Sequence, residues 1–149
     1  MEYRLLQLMG DVERPTLAVI RSASSFQPLW AAAHSKQFDM RFPGRPSVPA
    51  VPPIDWATEI VIVAALGQRA TLSYHVYLSL SEEPRGLHVL VHERQPGSDE
   101  DQLTAISYPT VLAIVRTDAI DVAFHLQPPV ESYAPTLEQE TMRREAYDL

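Results

Sequence analysis

The chain has no cysteine, so disulfide bonds and thiolate metal sites are excluded. Its five glycines never take the spacing of a phosphate-binding loop. Lys36 is the only lysine, and 12 basic against 19 acidic residues give a formal charge of −7, which disfavours nucleic acid as a partner. No apolar run approaches the ~20 residues of a bilayer-spanning helix, so we expect no membrane partner.

The length and ends of the chain set the expected organisation. The 149 residues, of which 46% are hydrophobic, suit one domain with one core. We predict a single β-rich domain over 1–127 and a polar tail over 128–149, with a possible short helix at Leu137–Tyr147. The start, Met1–Leu5, does not resemble a secretory signal, which favours the cytoplasm; a signal removed earlier would leave no trace, so secretion stays open.

The stretch from Glu59 to Leu80 is the centre of the predicted fold. Glu59–Leu66 is almost wholly apolar and rich in β-branched residues, which favours a buried strand. Gly67 then breaks the run, and Leu72–Leu80 alternates apolar with polar residues at the period of a half-buried strand. We interpret the two segments as a hairpin at the middle of an antiparallel sheet.

Further short apolar runs predict the rest of the sheet. Tyr3–Met9 and Pro15–Ile20 are expected to form a first strand pair, Leu87–Glu93 a middle strand, and Val111–Val115 with Ala119–Leu126 a final pair. Because short turns separate the strands, the predicted fold class is mainly β (α+β): an antiparallel, sandwich- or barrel-like meander with one packed helix.

One helix is predicted from Phe26 to His34. Ser24 or Ser25 would cap its start, and Pro28 would lie in its first turn. Phe26, Leu29, Trp30 and Ala33 follow helical spacing and form one apolar stripe. We expect this stripe to pack on one face of the sheet, with Trp30 as its largest anchor.

Prolines recur nearly every third residue from Pro43 to Pro53. Neither a helix nor an inner strand holds that many, so an extended, polyproline-like segment is predicted. It is interpreted either as a connector laid along the domain surface or as a ligand for a proline-recognition module.

No metal or cofactor site is predicted. His75, His88 and His92 fall on polar faces of strands, and three imidazoles can bind zinc, but His88 and His92 are roughly 13 Å apart at the usual strand rise. The acidic loop Ser98–Asp101 lacks the ligand spacing of a calcium loop. Polar histidines on a wet sheet and a solvated loop are the simpler interpretations.

No catalytic constellation is evident, so we expect a non-enzymatic protein. A nucleophile needs a base and an orienting group within reach, and no Gly-x-Ser-x-Gly elbow occurs. A hydrolase that uses His75 with Ser73 or Tyr77 is the remaining enzymatic alternative.

Several short motifs follow one another along the chain: Leu29–Ala31, Pro52–Trp56, Leu66–Gly67, Ser73–Val76, Leu87–Val91 and Thr104–Pro109. Their order resembles the PrcB-like family, a C-terminal domain of a bacterial protease-complex stabilising protein. The resemblance covers roughly 26–126 and implies a mainly β domain that binds or steadies another protein. The second strand opens here with Leu72-Ser73-Tyr74, which keeps the family's tyrosine and lacks its two glycines.

Two functions from different classes follow. The first is a non-catalytic protein-binding or stabilising module whose partner is another protein, such as a protease, or a second copy of the chain. The alternative is a small-ligand-binding β domain with an aromatic pocket between helix and sheet. The candidate interaction or pocket residues are Trp30, Trp56, Tyr74, His75 and Tyr77.

Overall fold

The structure, a computed structural model, describes residues 2–6, 8, 10–35, 44, 48–70, 74–96 and 105–132. Over these residues the chain forms eight strands and one helix, which confirms the mainly β class with a single helix. In chain order they are β1 (Glu2–Leu6), β2 (Thr16–Ile20), α1 (Ala23–Ala33), β3 (Glu59–Ala65), β4 (His75–Glu83), β5 (Gly86–Pro96), β6 (Thr110–Arg116), β7 (Val122–Leu126) and β8 (Val130–Ser132).

The first sheet has the order β1-β6-β3-β2 and is antiparallel throughout. Its two central strands, β3 and β6, are apolar at nearly every position. This composition follows from burial on both faces, since Val61 and Val63 face the helix while Ile60 and Ile62 face the second sheet. A strand covered on both sides shows no alternation in its sequence.

The second sheet is built around β5. β4 pairs with β5 in an antiparallel hairpin whose register leaves only Pro84 and Arg85 in the loop. β7 and β8 both pair with β5 in the parallel sense, one after the other along its length. The second sheet is therefore mixed, and its strands alternate in burial because only one of its faces meets the other sheet.

The two sheets pack face to face around one apolar core. Leu87, Val89 and Val91 of β5 are at most 1% exposed and meet the inward side chains of β3 and β6. Burial of branched side chains between sheets supplies the main driving force for folding of this kind. The molecule thus has three layers: helix, first sheet and second sheet.

The helix covers the outer face of the first sheet, as predicted, but its boundaries differ. It runs from Ala23 to Ala33, and Ser22 is the N-cap, since its hydroxyl accepts a hydrogen bond from the Ser25 amide. Pro28 lies in the helix interior instead of the first turn. Burial of Phe26 and Trp30, at 0% and 5% exposure, outweighs the backbone cost of that proline.

The predicted strand positions are largely confirmed, but three of the predicted pairings are wrong. β3 and β4 do not form a hairpin: they belong to different sheets, and the connection through Gly67, at φ +83°, crosses between layers. β1 and β2 lie at opposite edges of the first sheet. β6 and β7 also belong to different sheets. The strands that follow each other in sequence and pair through a tight turn are instead β4 and β5.

The chain ends and the proline segment are described only in part. Pro49 and Pro53 accept hydrogen bonds from Trp30 Nε1 and Arg4 Nη2, both at 2.8 Å, so this end of the segment is fixed to the domain. Strand β8 falls within the predicted tail; residues 133–149, with the predicted second helix, lie outside the described residues. Among the residues described, no helix has the length and apolarity that a bilayer crossing requires.

Candidate functional site

The outward face of the second sheet collects an unusual share of the chain's imidazoles. Strand alternation turns Leu87, Val89 and Val91 inward, so the residues between them point outward. The register then places β4 and β7 residues beside them. We call this surface the imidazole face; it consists of Tyr77, Ser79, His88, Leu90, His92 and His125.

His92 is held by two neighbours on β4. Tyr77, its cross-strand partner, stacks on it with ring centroids 4.8 Å apart and planes 9° from parallel. The Ser79 hydroxyl lies 2.9 Å from His92 Nε2, at hydrogen-bonding distance. Partial burial lowers the pKa of His92 below its ordinary value, because the charged imidazolium loses solvation. The lowered pKa favours the neutral form of His92.

His88 and His125 form the second imidazole pair of the face. Nδ1 of His88 lies 2.9 Å from Nε2 of His125, across the parallel β5–β7 pairing. On the other side of the ring, Nε2 of His88 lies 3.5 Å from the Glu83 carboxylate. The three groups form a row of carboxylate, imidazole and imidazole at one end of the second sheet.

A cleft of about 530 Å³ adjoins this row at the β4–β5 hairpin. Gly86 allows the segment that leads into β7 to approach closely, because a Cβ at residue 86 would lie 2.5 Å from the Asp121 carbonyl oxygen. That same oxygen accepts a hydrogen bond from the Leu87 amide at 2.9 Å. The cleft is lined by Glu83, Pro84, Arg85, Gly86, Leu87, His88, Asp121, Val122 and Ala123.

The Ser79–His92 contact has the distance of a nucleophile and its base. In the described part of the chain, however, the side chains that engage His92 are Ser79 and Tyr77, and neither is a carboxylate that could orient the imidazole. The pair lies on an open sheet face, where water reaches both groups.

The predicted aromatic residues divide between two regions. Trp30 and Trp56 come together around Phe26, at centroid distances of 5.7 and 5.8 Å, between helix and first sheet. Trp30 also packs on His34, which is fully buried and donates from Nδ1 to the Trp30 carbonyl at 2.8 Å. Trp30 is therefore core, while Trp56 is half-buried at its margin.

Tyr74 and His75 lie at the start of β4. The Arg69 guanidinium sits over the Tyr74 ring at 5.8 Å and donates to Glu93 on β5 at 2.6 Å. That hydrogen bond is the main cause of the raised pKa of Arg69. His75 is exposed and pairs across the hairpin with Arg94. Of the predicted set, Tyr77 alone belongs to the central part of the imidazole face.

Sequence reasoning missed His125, Ser79 and His34 as residues of interest. Alternation within Val122–Leu126 could have turned His125 outward, but nothing in the sequence pairs β7 with β5. Ser73, the predicted hydrolase partner, and the acidic loop Ser98–Asp101 lie outside the described residues. Among those described, no three His, Asp or Glu side chains group as a metal set.

Comparison of the chain with protein-family models, with curated proteins and with solved structures found no match.

Proposed function

We propose that this protein is a non-catalytic module that binds another protein through its imidazole face. The observation that supports the proposal is the centre of that face, where Tyr77 and His92 stack beside Leu90 and Ser79 with no charged side chain between them. Aromatic groups are enriched and charged groups depleted at the centres of protein interfaces.

The polarity of the face fits recognition as well as burial. Partial burial lowers the pKa of His92 and so favours its neutral form, which is less costly to cover with a partner than an imidazolium ion. Tyr77 offers a large ring with a polar hydroxyl, a combination that recurs among the residues that dominate binding energy. Charged groups such as Glu83 lie toward the end of the sheet, in the position of a polar rim.

The class of partner comes from the resemblance to the PrcB-like family. On that basis we propose a subunit of a protease complex as the partner, with the domain acting to steady the assembly. A second copy of the chain is the alternative partner, and the oligomeric state in solution separates the two.

A charge placed at the centre of the face tests the proposal. Leu90→Glu should reduce recovery of the bound partner by at least ~10-fold, since ~1.4 kcal/mol of lost affinity suffices for that change. Recovery is measured by affinity capture from native lysate with quantitative mass spectrometry, and self-association by analytical ultracentrifugation. The matched control is Leu17→Glu, which changes another partly exposed leucine on a strand of the first sheet.

The outcomes are distinct once circular dichroism has shown that both variants fold. A partner lost with Leu90→Glu and retained with Leu17→Glu supports the imidazole face. Equal recovery with both variants contradicts it. A wild-type chain that is monomeric and retains no protein above the bead background contradicts the binding function altogether.

A further inference from the structure

The two rings of the His88–His125 pair meet edge to edge. Their planes are 13° from parallel, and their centroids are 5.2 Å apart, while the facing nitrogens are only 2.9 Å apart. Rings lying face to face with their nitrogens so close would have centroids much nearer each other. The rings therefore lie nearly in one plane, and Nδ1 of His88 and Nε2 of His125 point at each other, as in an N–H···N hydrogen bond.

The position of Glu83 favours one tautomer of His88. An ionised carboxylate only accepts, so its place 3.5 Å from Nε2 favours hydrogen on that nitrogen. Neutral His88 then has a bare Nδ1, which accepts from the Nε2–H of His125. A carboxylate behind one imidazole nitrogen, with the lone pair of the other nitrogen directed forward, is the usual arrangement of a metal-ligating histidine.

We propose that Nδ1 of His88 and Nε2 of His125 bind one divalent transition-metal ion of the zinc or nickel type. Glu83 holds the Nε2–H of His88, and water completes the coordination. Imidazole nitrogen is a preferred ligand for these ions. In binding the ion, His125 moves its single hydrogen from Nε2 to Nδ1, so both facing nitrogens offer lone pairs and no net proton is lost from the neutral pair.

Binding one ion requires both rings to move. Two nitrogens bound at the usual zinc distance in tetrahedral geometry lie about 3.4 Å apart, so the pair must open by roughly half an ångström, and each ring must turn by roughly 35° so that both nitrogens face a common point. The final torsion of a histidine side chain is soft, and both rings are partly or fully open to solvent. Because no third protein ligand joins the pair within the described residues, the site is open and exchangeable.

The surrounding charges are mixed. Glu83 and Asp121 line the adjoining cleft and favour a cation there, whereas Arg85 lines the same cleft and opposes it. The chain as a whole carries a formal charge of −7, which raises the local concentration of cations. The metal site lies at one end of the imidazole face, at His88 and His125, whereas the proposed partner binding centres on Tyr77, Leu90 and His92, so each is tested with its own variants.

The test is isothermal titration calorimetry of the full chain with zinc chloride at pH 7.5 in a non-coordinating buffer. We expect saturable binding that is lost with His88→Ala and with His125→Ala. Glu83→Gln should weaken binding by ~10-fold, the usual effect of removing a carboxylate behind a ligating histidine. The matched control is His92→Ala, which removes another imidazole of the same face and should leave binding unchanged.

A second readout follows the two imidazoles directly. Imidazole protons of His88 and His125 should shift together on zinc addition in NMR spectra, and an excess of EDTA should reverse the shift by removing the ion. No zinc binding by the wild-type chain overturns the proposal, as does binding that survives both alanine variants or fails in His92→Ala. Unchanged affinity in Glu83→Gln overturns the role of the carboxylate.

Discussion

The described histidines illustrate how the surroundings of one side-chain type set its behaviour. His34 is fully buried at the end of the helix, where its Nδ1–H satisfies the Trp30 carbonyl. His92 is half-buried and stacked on Tyr77. His88 and His125 share a hydrogen bond at the open end of the sheet. His34 therefore has a structural role, His92 presents a half-buried ring on the surface, and His88 and His125 form a hydrogen-bonded pair.

The lowered pKa of His92 predicts a pH effect on stability. Below the ordinary value of 6.5 the unfolded chain takes up a proton at this position that the folded chain resists, so unfolding becomes easier. The contribution of His92 is fully present above 6.5 and is lost as the pH falls through its lower folded pKa. Urea unfolding at a series of pH values should show a smaller fall in stability from pH 7.5 to 5.5 for His92→Gln than for the wild type.

NMR titration of the same residue provides the direct check. Its imidazole Cε1–H resonance should move with a midpoint below 6.5. A midpoint at or above 6.5, or identical pH slopes for the wild type and His92→Gln, would show that burial does not control this residue.

At the residue scale, alternation alone predicted that His88 and His92 share a face and are too far apart for one ion. It could not predict that His125 would lie beside His88. The parallel pairing of β7 with β5 joins residues 37 positions apart in the chain, and no local pattern encodes that register. The imidazole face was therefore predictable only along single strands.

At the scale of elements, the β4–β5 hairpin depends on one glycine. Gly86 has φ +151°, a region that side chains rarely adopt, and a Cβ there would approach the Asp121 carbonyl oxygen to 2.5 Å. The close approach allows the Leu87 amide to bond that oxygen and brings the start of β7 against β5. One position thus serves both the turn and the parallel pairing.

Gly86→Ala should therefore destabilise the protein by about 2–4 kcal/mol, combining backbone strain with the steric conflict. The control is Gly44→Ala, also at positive φ, +88°, but with nothing within 4 Å of the added Cβ. Strain alone should cost it only about 1 kcal/mol. Urea denaturation followed by circular dichroism gives both values, and equal losses would mean that the contact with Asp121 relaxes freely.

The strands themselves were easier to predict than their partners. Leu87–Glu93 alternates and the segment 60–65 is continuously apolar, and each pattern identifies a strand from its own residues. Pairing depends on which faces the other strands cover. The segment 60–65 is apolar because it is buried on both sides, which requires a layer on each face of its sheet. That continuous apolar pattern was the available signal for a second layer.

At the scale of the whole molecule, the three layers predict a hierarchy of local stability. The central strands β3 and β6 are covered by the helix on one side and by the second sheet on the other, and residues 61–64 are 0% exposed. β7 has a largely exposed outward face, and Leu126 is 64% exposed. Amides open to solvent with free energies that reflect how much packing each opening disrupts.

Native-state hydrogen exchange should thus find the slowest amides in β3 and β6, exchanging only through global unfolding at ~5–15 kcal/mol. Amides of β7 should exchange through smaller openings that leave the first sheet intact, because they lie on the side of the molecule away from the helix. Residue-resolved NMR with increasing urea measures both classes. If β7 amides were as slow as those of β3, the two sheets would open as one unit, and a partner bound to the imidazole face could gain nothing by stiffening the second sheet. If the β7 amides exchange faster, a protein bound at the imidazole face should slow the exchange of the β7 amides and leave the exchange rates in β3 and β6 unchanged.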